Sequence, residues 1–424
     1  MTSHRPRRSW FTALAMLPAL GLAACASDSG TAASSGAGVD HGASQEDYAE
    51  AFADVEPIVL NTQTPAPKGS VTGSYMELYL DAVEEWSDGK ITFETSYSNA
   101  IAPPEEIDDA LVDGRLDLGL VLPIYEPSEY PASAALMEAS VLSDHGPITG
   151  TLQQNAWPNE LAFSTPEVLA EFEDNDMKLM LPFYTSGSNA LLCSEPRNDL
   201  ADVKGAQISV GGASVGVQAA GLGGSPVSVQ YTEIFESLER GVIDCSMISM
   251  NVAVLAGIID AAPHVTLDPE VGLALSPGGM AMSQATWDEL PLVAQQLMWD
   301  RLDVFVAGNV ADKIWSSTVQ ASTTVAEAGG SFSPLSPDAR KALAATNEKL
   351  LAELAASDKV SDGEAFVADA RASSEKWRDL VAELGYTDEV DYNDFGEWYS
   401  EDKVDAQEYA DTFFEEILLP HRPA

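Results

Sequence analysis

Two stretches of the chain share one pattern of apolar and polar positions. Residues 106–117 read EIDDALVDGRLD and residues 233–244 read EIFESLERGVID, so both fit E-I-x-x-[AS]-L-x-x-G-x-x-D. In each copy the Ile and Leu share a helix face, and the Gly suits the left-handed residue that ends a helix. A short apolar run, typical of a buried strand, follows each copy. The pair predicts two similar lobes with a cleft between them, although two unrelated βα units can share so short a motif.

The pattern before the first repeat also alternates strands and helices. Residues 58–60 and 91–93 predict strands, and an amphipathic helix lies between them. With the first repeat this gives strand, helix, strand, helix, strand, which predicts an α/β fold with a doubly wound sheet. Ligands of such sheets lie at the carboxyl ends of strands. Gln63 and Tyr125 stand at two of those ends, so we expect them to contact a ligand.

Helical patterns dominate the last third of the chain. Between residues 293 and 328 there is no Pro, and Gly308 is the only Gly, so the apolar positions predict one very long helix bent at Gly308. Such a helix is long enough to pack on both lobes. Helices around residues 338–356 and 363–384 follow. We interpret residues 357–424 as a helical extension packed on the lobes, with a contact to a partner protein or to a second copy of the chain as the alternative.

The N-terminus has the pattern of an export signal. Three arginines precede an apolar run, residues 10–22, that is too short to span a membrane as a mature helix. The run ends in Leu-Ala-Ala-Cys25, which resembles the lipobox of bacterial lipoproteins, whose Cys becomes lipidated and N-terminal after cleavage. An ordinary signal peptide is the alternative. Residues 26–54, rich in Ser, Gly, Ala and Asp, predict a flexible tether with a reach of roughly 30 Å.

Composition narrows the possible partners. The 424 residues are enough for two ordinary domains, and the formal net charge is -46. Such a surface repels phosphate backbones and anionic lipid, so we expect no nucleic-acid partner. The five histidines show no metal-ligand spacing, and no phosphate-binding Walker motif is present. The sequence therefore predicts neither a metal nor a cofactor.

The chain has three cysteines, of which one lies in the export signal and two lie in the folded part. Lipidation uses Cys25 and leaves Cys193 and Cys245 as a pair in an oxidising compartment, where paired thiols tend to cross-link. Both fall on strands that we assign to the second lobe. If these strands are neighbours, the Cα atoms come within bonding range, below about 7 Å. Two separate buried thiols that act as small apolar residues are equally compatible with the sequence.

One motif suggests an enzyme. Residues 212–216 match G-x-S-x-G, after a strand and before a possible helix, which is the setting of a hydrolase nucleophile at Ser214. A triad would need an acid and a histidine, for instance Asp260 and His264. These are only four residues apart, and no upstream glycine run offers an oxyanion hole. Because of the motif alone, we keep a secreted serine hydrolase as the alternative function from another class.

Five pieces of the chain, in order, resemble the solute-binding proteins of tripartite ATP-independent periplasmic (TRAP) transporters, dicarboxylate-binding type. The resemblance covers about residues 56–356. It implies two α/β lobes, joined by crossing strands and a long helix, that close on a small molecule. It also implies delivery to a membrane permease, with no chemistry done. The pieces are EWSDGKI at 85–91, the first repeat, ADVKG at 201–205, GSPV at 224–227 before the second repeat, and WDELP at 287–291.

The resemblance also implies positions that contact the solute. An arginine that usually holds a substrate carboxylate falls on Ser209, in the strand after the Lys-Gly, and a second cationic position falls near Asn189. An asparagine found after the second repeat falls near Ile248, and the aromatic position before that repeat is Tyr231. This sequence therefore departs from the pattern where the family carries positive charge.

The absence of these cationic residues affects which solute we expect to bind. Without the guanidinium, a buried carboxylate lacks its bidentate partner, and burying it is costly. Together with Met247, the positions above suit a neutral or apolar solute better than a mono- or dicarboxylate. If the alignment is shifted by a few residues, Arg197 or Lys204 supplies the charge instead.

The sequence thus predicts an extracytoplasmic receptor that is lipid-anchored on the outer face of a bacterial membrane. Solute bridges both lobes in the cleft and stabilises the closed state. The receptor delivers the solute to a TRAP-type permease; a receptor for an ATP-driven importer is the nearest alternative. The predicted parts are a signal peptide at 1–25, the tether at 26–54, lobe I at 56–187 plus about 269–308, lobe II at 188–268 plus about 309–356, and the extension at 357–424.

Overall fold

Two mixed β-sheets form the centres of two lobes. The computed structural model describes residues 37–400 and 403–424; the predicted signal peptide, Cys25 and the first part of the predicted tether lie outside them. The strands are β1 Ile58–Gln63, β2 Ile91–Ser96, β3 Leu118–Val121, β4 Met177–Tyr184, β5 Asn189–Cys193, β6 Gln207–Val210, β7 Ser225–Ser228, β8 Cys245–Ser249, β9 His264–Thr266, β10 Gly278–Ser283 and β11 Ser331–Ser333.

The chain crosses between the sheets, and this makes each sheet mixed. Sheet A has the order β2-β1-β3-β10-β4, and sheet B the order β11-β9-β5-β8-β6-β7. The chain leaves sheet A after β4 and returns with β10, which is antiparallel to both β3 and β4. In sheet B the crossing strand β5 is likewise antiparallel to β8 and β9. The predicted two-lobed α/β fold with crossing strands is confirmed; the remaining pairs are parallel.

Helices cover both sheets. Within the described residues, no helix combines the length and apolar character needed to cross a membrane. The helices are α1 Gln45–Ala51, α2 Ser74–Trp86, α3 Ile107–Val112, α4 Pro131–Ala139, α5 Thr149–Ser164, α6 Pro166–Asp174, α7 Leu200–Val203, α8 Ala213–Gly221, α9 Ile234–Glu239, α10 Met250–Leu255, α11 Gln284–Glu289, α12 Leu292–Asp300, α13 Leu302–Gly308, α14 Ser316–Glu327, α15 Pro337–Ala355, α16 Gly363–Glu383, α17 Phe395–Trp398 and α18 Gln407–Phe413.

The two sequence repeats occupy equivalent places in the two sheets. The first forms α3 and leads into β3, and the second forms α9 and leads into β8. Their glycines, Gly114 and Gly241, have φ of +78° and +65°, which a residue with a Cβ rarely adopts. The aspartates that end the repeats do the same work. Asp117 accepts from the backbone N–H of Asn61 at 2.7 Å, and Asp244 accepts from that of Gln207 at 2.8 Å, so each ties its strand to the neighbouring strand.

The predicted long helix is present but interrupted. α12, α13 and α14 follow one another, with a break at Arg301 and a π-helical segment at Asn309–Trp315. The prediction of one continuous helix bent at Gly308 was therefore wrong in detail. Arg301 lies 3.8 Å from the ring centroid of Trp86, and this tertiary contact is invisible in the helical period. Beyond the π segment, Ala321 of α14 packs in the core of lobe II. The region from α12 to α14 therefore does link both lobes.

The predicted tether is folded in its second part. Residues 45–51 form α1, whose start is capped by Ser44 in a capping box. Tyr48 and Phe52 are buried, and the Tyr48 hydroxyl donates to a carboxylate at the end of α12. The prediction of a flexible tether over 26–54 was wrong here, because two aromatic residues four positions apart suffice to dock a helix that is otherwise polar.

Cys193 and Cys245 are joined in a disulfide, with their Cα atoms 4.1 Å apart. The two residues are directly opposite each other in the antiparallel pair β5·β8. The bond closes a loop of 52 residues, and the chain-entropy model gives such a loop a contribution of roughly 4 kcal/mol. It fastens the strand on which the chain enters lobe II to the strand of the second repeat.

The C-terminal residues 357–424 pack on both lobes. In α16, Trp377 donates its indole N–H to Glu160 of α5 at 3.0 Å. Tyr392 donates to the backbone oxygen of His145 at 3.1 Å, and its ring stacks on Phe332 of β11 at 6.3 Å between centroids. One tyrosine thus touches the loop before α5 and the edge strand of sheet B.

Asp388 of this extension caps a helix far away in sequence. Its carboxylate accepts from the backbone N–H groups of Ile148 at 2.8 Å and Thr149 at 3.2 Å, at the first turn of α5, and from the Thr149 hydroxyl. α5 has no side-chain cap of its own. Gly146 leaves room for the carboxylate, since a Cβ there would meet it. The extension therefore supplies both an acceptor and a negative charge to that helix terminus.

We expect Asp388→Ala to lower the free energy of unfolding by about 1 to 2 kcal/mol, because the first turn of α5 loses its acceptor. Urea unfolding followed by circular dichroism measures the change. Glu389→Ala is the matched control: its side chain is exposed, and its effect is expected to stay within about 0.5 kcal/mol. Equal effects of the two substitutions would contradict the capping role.

Candidate functional site

A cavity of about 120 Å³ lies between the two lobes. Residues of both lobes line it, including the ends of β1, β4 and β6 and the start of β5. The structure brings all seven residues that the sequence nominated to this one cavity, and their role in binding stays a prediction. These residues are Gln63, Tyr125, Asn189, Ser209, Tyr231, Met247 and Ile248.

Both sequence repeats contribute to the lining of the cavity. Pro104 and Ile107 contribute the start of the first repeat helix, and Tyr231 and Ile234 contribute the start of the second. The isoleucines are equivalent residues of the two motifs. The two repeats therefore contribute equivalent apolar residues, one from each lobe, to the lining of one cavity.

Several nominated polar side chains already have partners. The Gln63 amide oxygen accepts from the backbone N–H groups of Ile101 and Ala102, both at 3.0 Å, and its amide nitrogen donates to the Ala102 oxygen at 2.8 Å. Gln63 thus fixes the chain that enters the first repeat. Asn189 likewise donates to the Ala274 oxygen at 2.7 Å, which ties β5 to the segment between β9 and β10.

Ser209 stands where the family resemblance implies a cation. Its hydroxyl lies 3.1 Å from the hydroxyl of Ser246 on the neighbouring strand β8, so the two serines share a hydrogen bond. Both side chains are buried. This wall of the cavity is consequently uncharged, as the sequence indicates.

The cation of this cavity is Lys313, which sequence reasoning missed. It comes from the π segment between α13 and α14, and its side chain is 2 % exposed. Its ammonium donates to the backbone oxygen of Thr185 at 3.2 Å and to Asn309 Oδ1 at 3.0 Å. In the described chain no carboxylate lies within ion-pair distance of it.

Two tyrosine rings flank the ammonium. Lys313 Nζ lies 4.3 Å from the ring centroid of Tyr75 and 4.8 Å from that of Tyr184, within cation–π range. Burial disfavours the charged form and lowers the pKa of Lys313 to about 7. Burial also raises the pKa of both tyrosines, so their hydroxyls stay protonated at neutral pH. Lys313 is the one basic side chain among the described residues that line the cavity, and its ammonium form suits an anion.

A weak signal for Lys313 exists in the sequence. It stands three residues after Val310 and directly before Ile314, at the edge of the apolar face of the predicted long helix. A lysine in such a place is usually read as a solvated residue whose stem covers apolar surface. Only the packing of the π segment against β4 shows that its ammonium is buried.

The lobes are joined across the cavity by a direct hydrogen bond. Asn99, in the turn after β2, donates its amide N–H to the Tyr231 hydroxyl at 2.8 Å. The Tyr231 backbone also lies beside the Tyr125 hydroxyl. Tyr231, which the resemblance nominated, is therefore the meeting point of the two lobes.

Arg197 and Lys204, the alternative sources of charge, do not line the cavity. Arg197 contacts Asp202 and, at 3.9 Å, Asp244. Lys204 is exposed. The positive charge at the site therefore comes from neither Arg197 nor Lys204.

The hydrolase alternative finds no support in the geometry. Ser214 is buried in the first turn of α8 and lies outside the interlobe cavity. Within residues 37–400 and 403–424, no histidine is hydrogen-bonded to it, and His264 lies on β9. No group of three or more His, Cys, Asp or Glu in that part of the chain could hold a metal ion.

Comparison with solved structures identifies the fold. A TRAP solute binding protein from a marine metagenome, in complex with metahydroxyphenylacetate, has a TM-score of 0.64 at 19% identity, over 76% of this chain and 99% of that chain. One from Rhodoferax ferrireducens with benzoate gives 0.65 at 17%, over 76% and 99%. The sugar acid binding protein from Advenella mimigardefordensis with galactonate gives 0.64 at 16%, over 76% and 100%.

Comparison with family models identifies the family. Residues 62–358, most of the chain, match the model described as bacterial extracellular solute-binding protein, family 7. Its members are extracytoplasmic binding proteins and not enzymes, which confirms the resemblance predicted from the sequence. The match ends before α16, so the C-terminal extension lies beyond it. The chain belongs to the bacterial extracellular solute-binding proteins of family 7.

Proposed function

We propose that this receptor captures a small monocarboxylate with an apolar body and delivers it to a TRAP-type permease. The observation that carries the proposal is the buried Lys313 ammonium at one end of the interlobe cavity, with no carboxylate partner in the described chain. An unpaired buried charge is costly, and the anionic end of a solute would compensate it. The proposal replaces the expectation of a neutral solute, which rested on the absence of the family's cations at Ser209 of β6 and near Asn189 of β5.

The cavity lining supports one charge and an apolar body. All of its lining residues belong to the described chain, and they include no Arg, His, Asp or Glu. The lining also carries many apolar side chains: Ile107, Leu120, Leu122, Ile124, Val229, Ile234, Val252 and Leu255. A second carboxylate would lie without a cation among them, so dicarboxylates remain disfavoured. Relatives that hold benzoate and metahydroxyphenylacetate are compatible with this class.

Hinge closure is the proposed mechanism. Lobe I supplies Tyr75 and Tyr184, lobe II supplies Met247 and Ile248, and the π segment with Lys313 lies between α13 and α14. A solute in the cavity contacts all three parts only when the lobes are closed. Its binding therefore favours the closed state by the free energy of those contacts. The lobe boundaries at 56–187 plus about 269–308 and 188–268 plus about 309–356 form part of this proposal.

Lipid anchoring at Cys25 completes the proposed placement on the outer face of a bacterial membrane. The lipobox-like Leu-Ala-Ala-Cys supports it, and several acyl chains give stable anchoring. The alternative of an ATP-driven importer has no observation in its favour. The secreted hydrolase is set aside, because the family consists of binding proteins.

We expect Lys313→Met to weaken phenylacetate binding at least about 30-fold, since a charge-assisted hydrogen bond of roughly 2 kcal/mol is lost. Isothermal titration calorimetry at pH 6.5 measures the affinity. Lys349→Met, which removes an exposed lysine of α15, is the matched control and should leave the affinity unchanged. Retention of the affinity within threefold in Lys313→Met would sink the proposed function.

Solute binding should take up a proton above pH 7. The pKa of Lys313 in the unliganded cavity is lowered to about 7, whereas a bound carboxylate favours the ammonium form. The affinity should therefore fall by up to tenfold for each pH unit above 7. At pH 8.5 about one proton should be taken up for each solute bound. The binding enthalpy should therefore differ between phosphate and Tris buffers by about the difference between the ionisation enthalpies of the two buffers. Lys313→Arg keeps its charge and should show neither effect; equal wild-type affinities at pH 6.5 and 8.5 would refute the coupling.

Cys25→Ser should abolish anchoring. The variant is expected in the soluble fraction or unprocessed, without incorporation of labelled palmitate, whereas Ser27→Ala should remain with the membranes. Cell fractionation and immunoblotting measure the partition. Cys25→Ser that is processed, labelled with palmitate and retained in the membrane like the wild type would overturn the lipobox interpretation.

A further inference from the structure

Two buried asparagines connect the Lys313 ammonium to the interior of lobe I. Asn309 and Asn155 are 2 % and 4 % exposed. Asn309 Oδ1 accepts from Lys313 Nζ at 3.0 Å, and Asn309 Nδ2 donates to Asn155 Oδ1 at 3.2 Å. Asn309 Nδ2 and Lys313 Nζ also donate to one shared acceptor, the backbone oxygen of Thr185, both at 3.2 Å. The four residues therefore form one hydrogen-bonded group without an acidic member.

The local fold explains why Asn309 and Lys313 meet. Asn309 begins the π segment, and Lys313 follows four residues later in the same segment. Residues three or four apart in a helix lie on one face, so a short amide can reach the end of the lysine side chain. π-helical turns are rare and occur frequently at functional sites. The segment thus delivers an acceptor together with the cation.

The asparagines of α5 join that helix to the end of β4. Asn155 Oδ1 accepts from the backbone N–H of Thr185, and one turn later Asn159 Oδ1 accepts from that of Phe183, both at 2.9 Å. Four residues of an α-helix rise about 6 Å, and two residues of a strand span about 6.6 Å, so both side chains can bond at once. Of the two, Asn155 is the one that also bonds to Asn309.

The directions of both amides follow from their partners. Asn155 Nδ2 donates to the backbone oxygen of Thr151 at 2.8 Å, which leaves its oxygen to accept. If the Asn309 amide were reversed, its oxygen would face two acceptors, Asn155 Oδ1 and the Thr185 oxygen. Asn309 therefore presents its oxygen to the ammonium, and lobe I sets this orientation without a solute.

We propose that Asn309, oriented by Asn155, is a positioning residue for solute binding, which keeps the Lys313 side chain charged and in place at the cavity. The inference rests on the proposed function, in which this ammonium meets the solute carboxylate. A lysine ammonium has three N–H donors. In the described chain two of them go to Thr185 and Asn309, which leaves the third for a solute oxygen. An amide stabilises the cation without neutralising it, whereas a carboxylate there would compete with the solute.

The surroundings of Lys313 make the effect of one acceptor measurable. The titratable groups that face it are the phenols of Tyr75 on α2 and Tyr184 on β4. Asp312 is its neighbour on the π segment itself, yet burial alone accounts for the lowered pKa of Lys313. Carboxylates on the elements packed against the π segment have other partners or are exposed: Glu77 of α2, Glu160 of α5, Asp303 of α13 and Glu327 of α14.

Three variants test the positioning role. Asn309→Leu removes the acceptor at similar size. Asn155 Oδ1 then keeps the Thr185 N–H, and the Thr185 oxygen keeps the ammonium, so chiefly Lys313 loses a partner. Asn309→Asp replaces the neutral acceptor with an anion. Asn159→Leu is the matched control, since it removes a buried amide that joins α5 to β4 at Phe183 without a bond to Asn309.

The titration of Lys313 is measured in the unliganded protein by NMR of 13C-labelled lysine, with Lys313→Met to assign the signal. Asn309→Leu should lower the titration midpoint by about one pH unit, because the charged form loses an acceptor. Asn309→Asp should raise it, because an added carboxylate favours the ammonium form. Asn159→Leu should lower the stability of the protein and leave the midpoint unchanged.

Calorimetry with phenylacetate measures the consequence for binding. A midpoint lower by one pH unit reduces the charged fraction of Lys313 about tenfold at pH 8 but less than about twofold at pH 5.5. The affinity of Asn309→Leu should follow this difference, whereas a variant that only distorts the cavity loses affinity equally at both pH values. Asn309→Asp should bind weakly at both, because its carboxylate pairs with the ammonium.

The outcomes separate this inference from the proposed function. An unchanged midpoint in the Asn309 variants, an equal shift in Asn159→Leu, or the same loss of affinity in Asn309→Leu at both pH values overturns the role of Asn309 and leaves the receptor function standing. The NMR titration needs no solute. Opposite shifts in the two Asn309 variants therefore support the positioning of the ammonium even if phenylacetate does not bind, and that failure counts against the proposed function. If Asn309→Leu does not fold, the shift in Asn309→Asp decides.

Discussion

The buried ammonium group of Lys313 determines the electrostatic character of the cleft. Lys313 is carried into the interior by the π segment between α13 and α14, where two oxygens and two tyrosine rings surround it and no carboxylate of the described chain does. These partners offset only part of the cost of desolvation, as the lowered pKa of Lys313 shows. An internal Asp or Glu would stabilise the unliganded protein and compete with any anionic solute. The Lys313 ammonium is therefore less stable in the unliganded cavity than beside a bound anion, and this difference in free energy contributes to the affinity for the solute.

Much of the fold and of the cavity lining followed from local pattern. The repeats predicted a helix, a glycine stop and a strand twice, and the structure has both, with equivalent aspartates tying each strand to its neighbour. Because ligands lie at the ends of strands, residues such as Gln63 and Tyr125 could be nominated from the order of elements alone. The cysteine pair could be nominated but not decided, since the register of β5 on β8 is a tertiary fact.

The features that the sequence did not predict depend on contacts between distant segments. A lysine on the edge of an apolar helix face looks the same whether its ammonium reaches solvent or a cavity. α1 docks through the buried Tyr48 and Phe52, and the Tyr48 hydroxyl donates to Asp300, which lies 252 residues further along the chain. No pattern in the sequence indicated the contact between Asn99 and Tyr231, because the two residues are 132 positions apart in the chain. The helical period predicts where a side chain points, but not what it meets there.

The position of the cation also resolves a conflict with the overall charge. A chain of net charge -46 repels an anion at long range, which argues against an anionic solute if charge is summed over the molecule. That repulsion is screened within about 8 Å at physiological ionic strength, whereas a buried ammonium within hydrogen-bonding distance acts through protein with little screening. Local geometry therefore decides the sign of the interaction in the cleft, and the acidic surface affects how quickly an anion arrives more than how firmly it is held. The uncharged wall at Ser209 follows the same logic: one well-placed cation suffices for one carboxylate, and a second unpaired one would add only the cost of its burial.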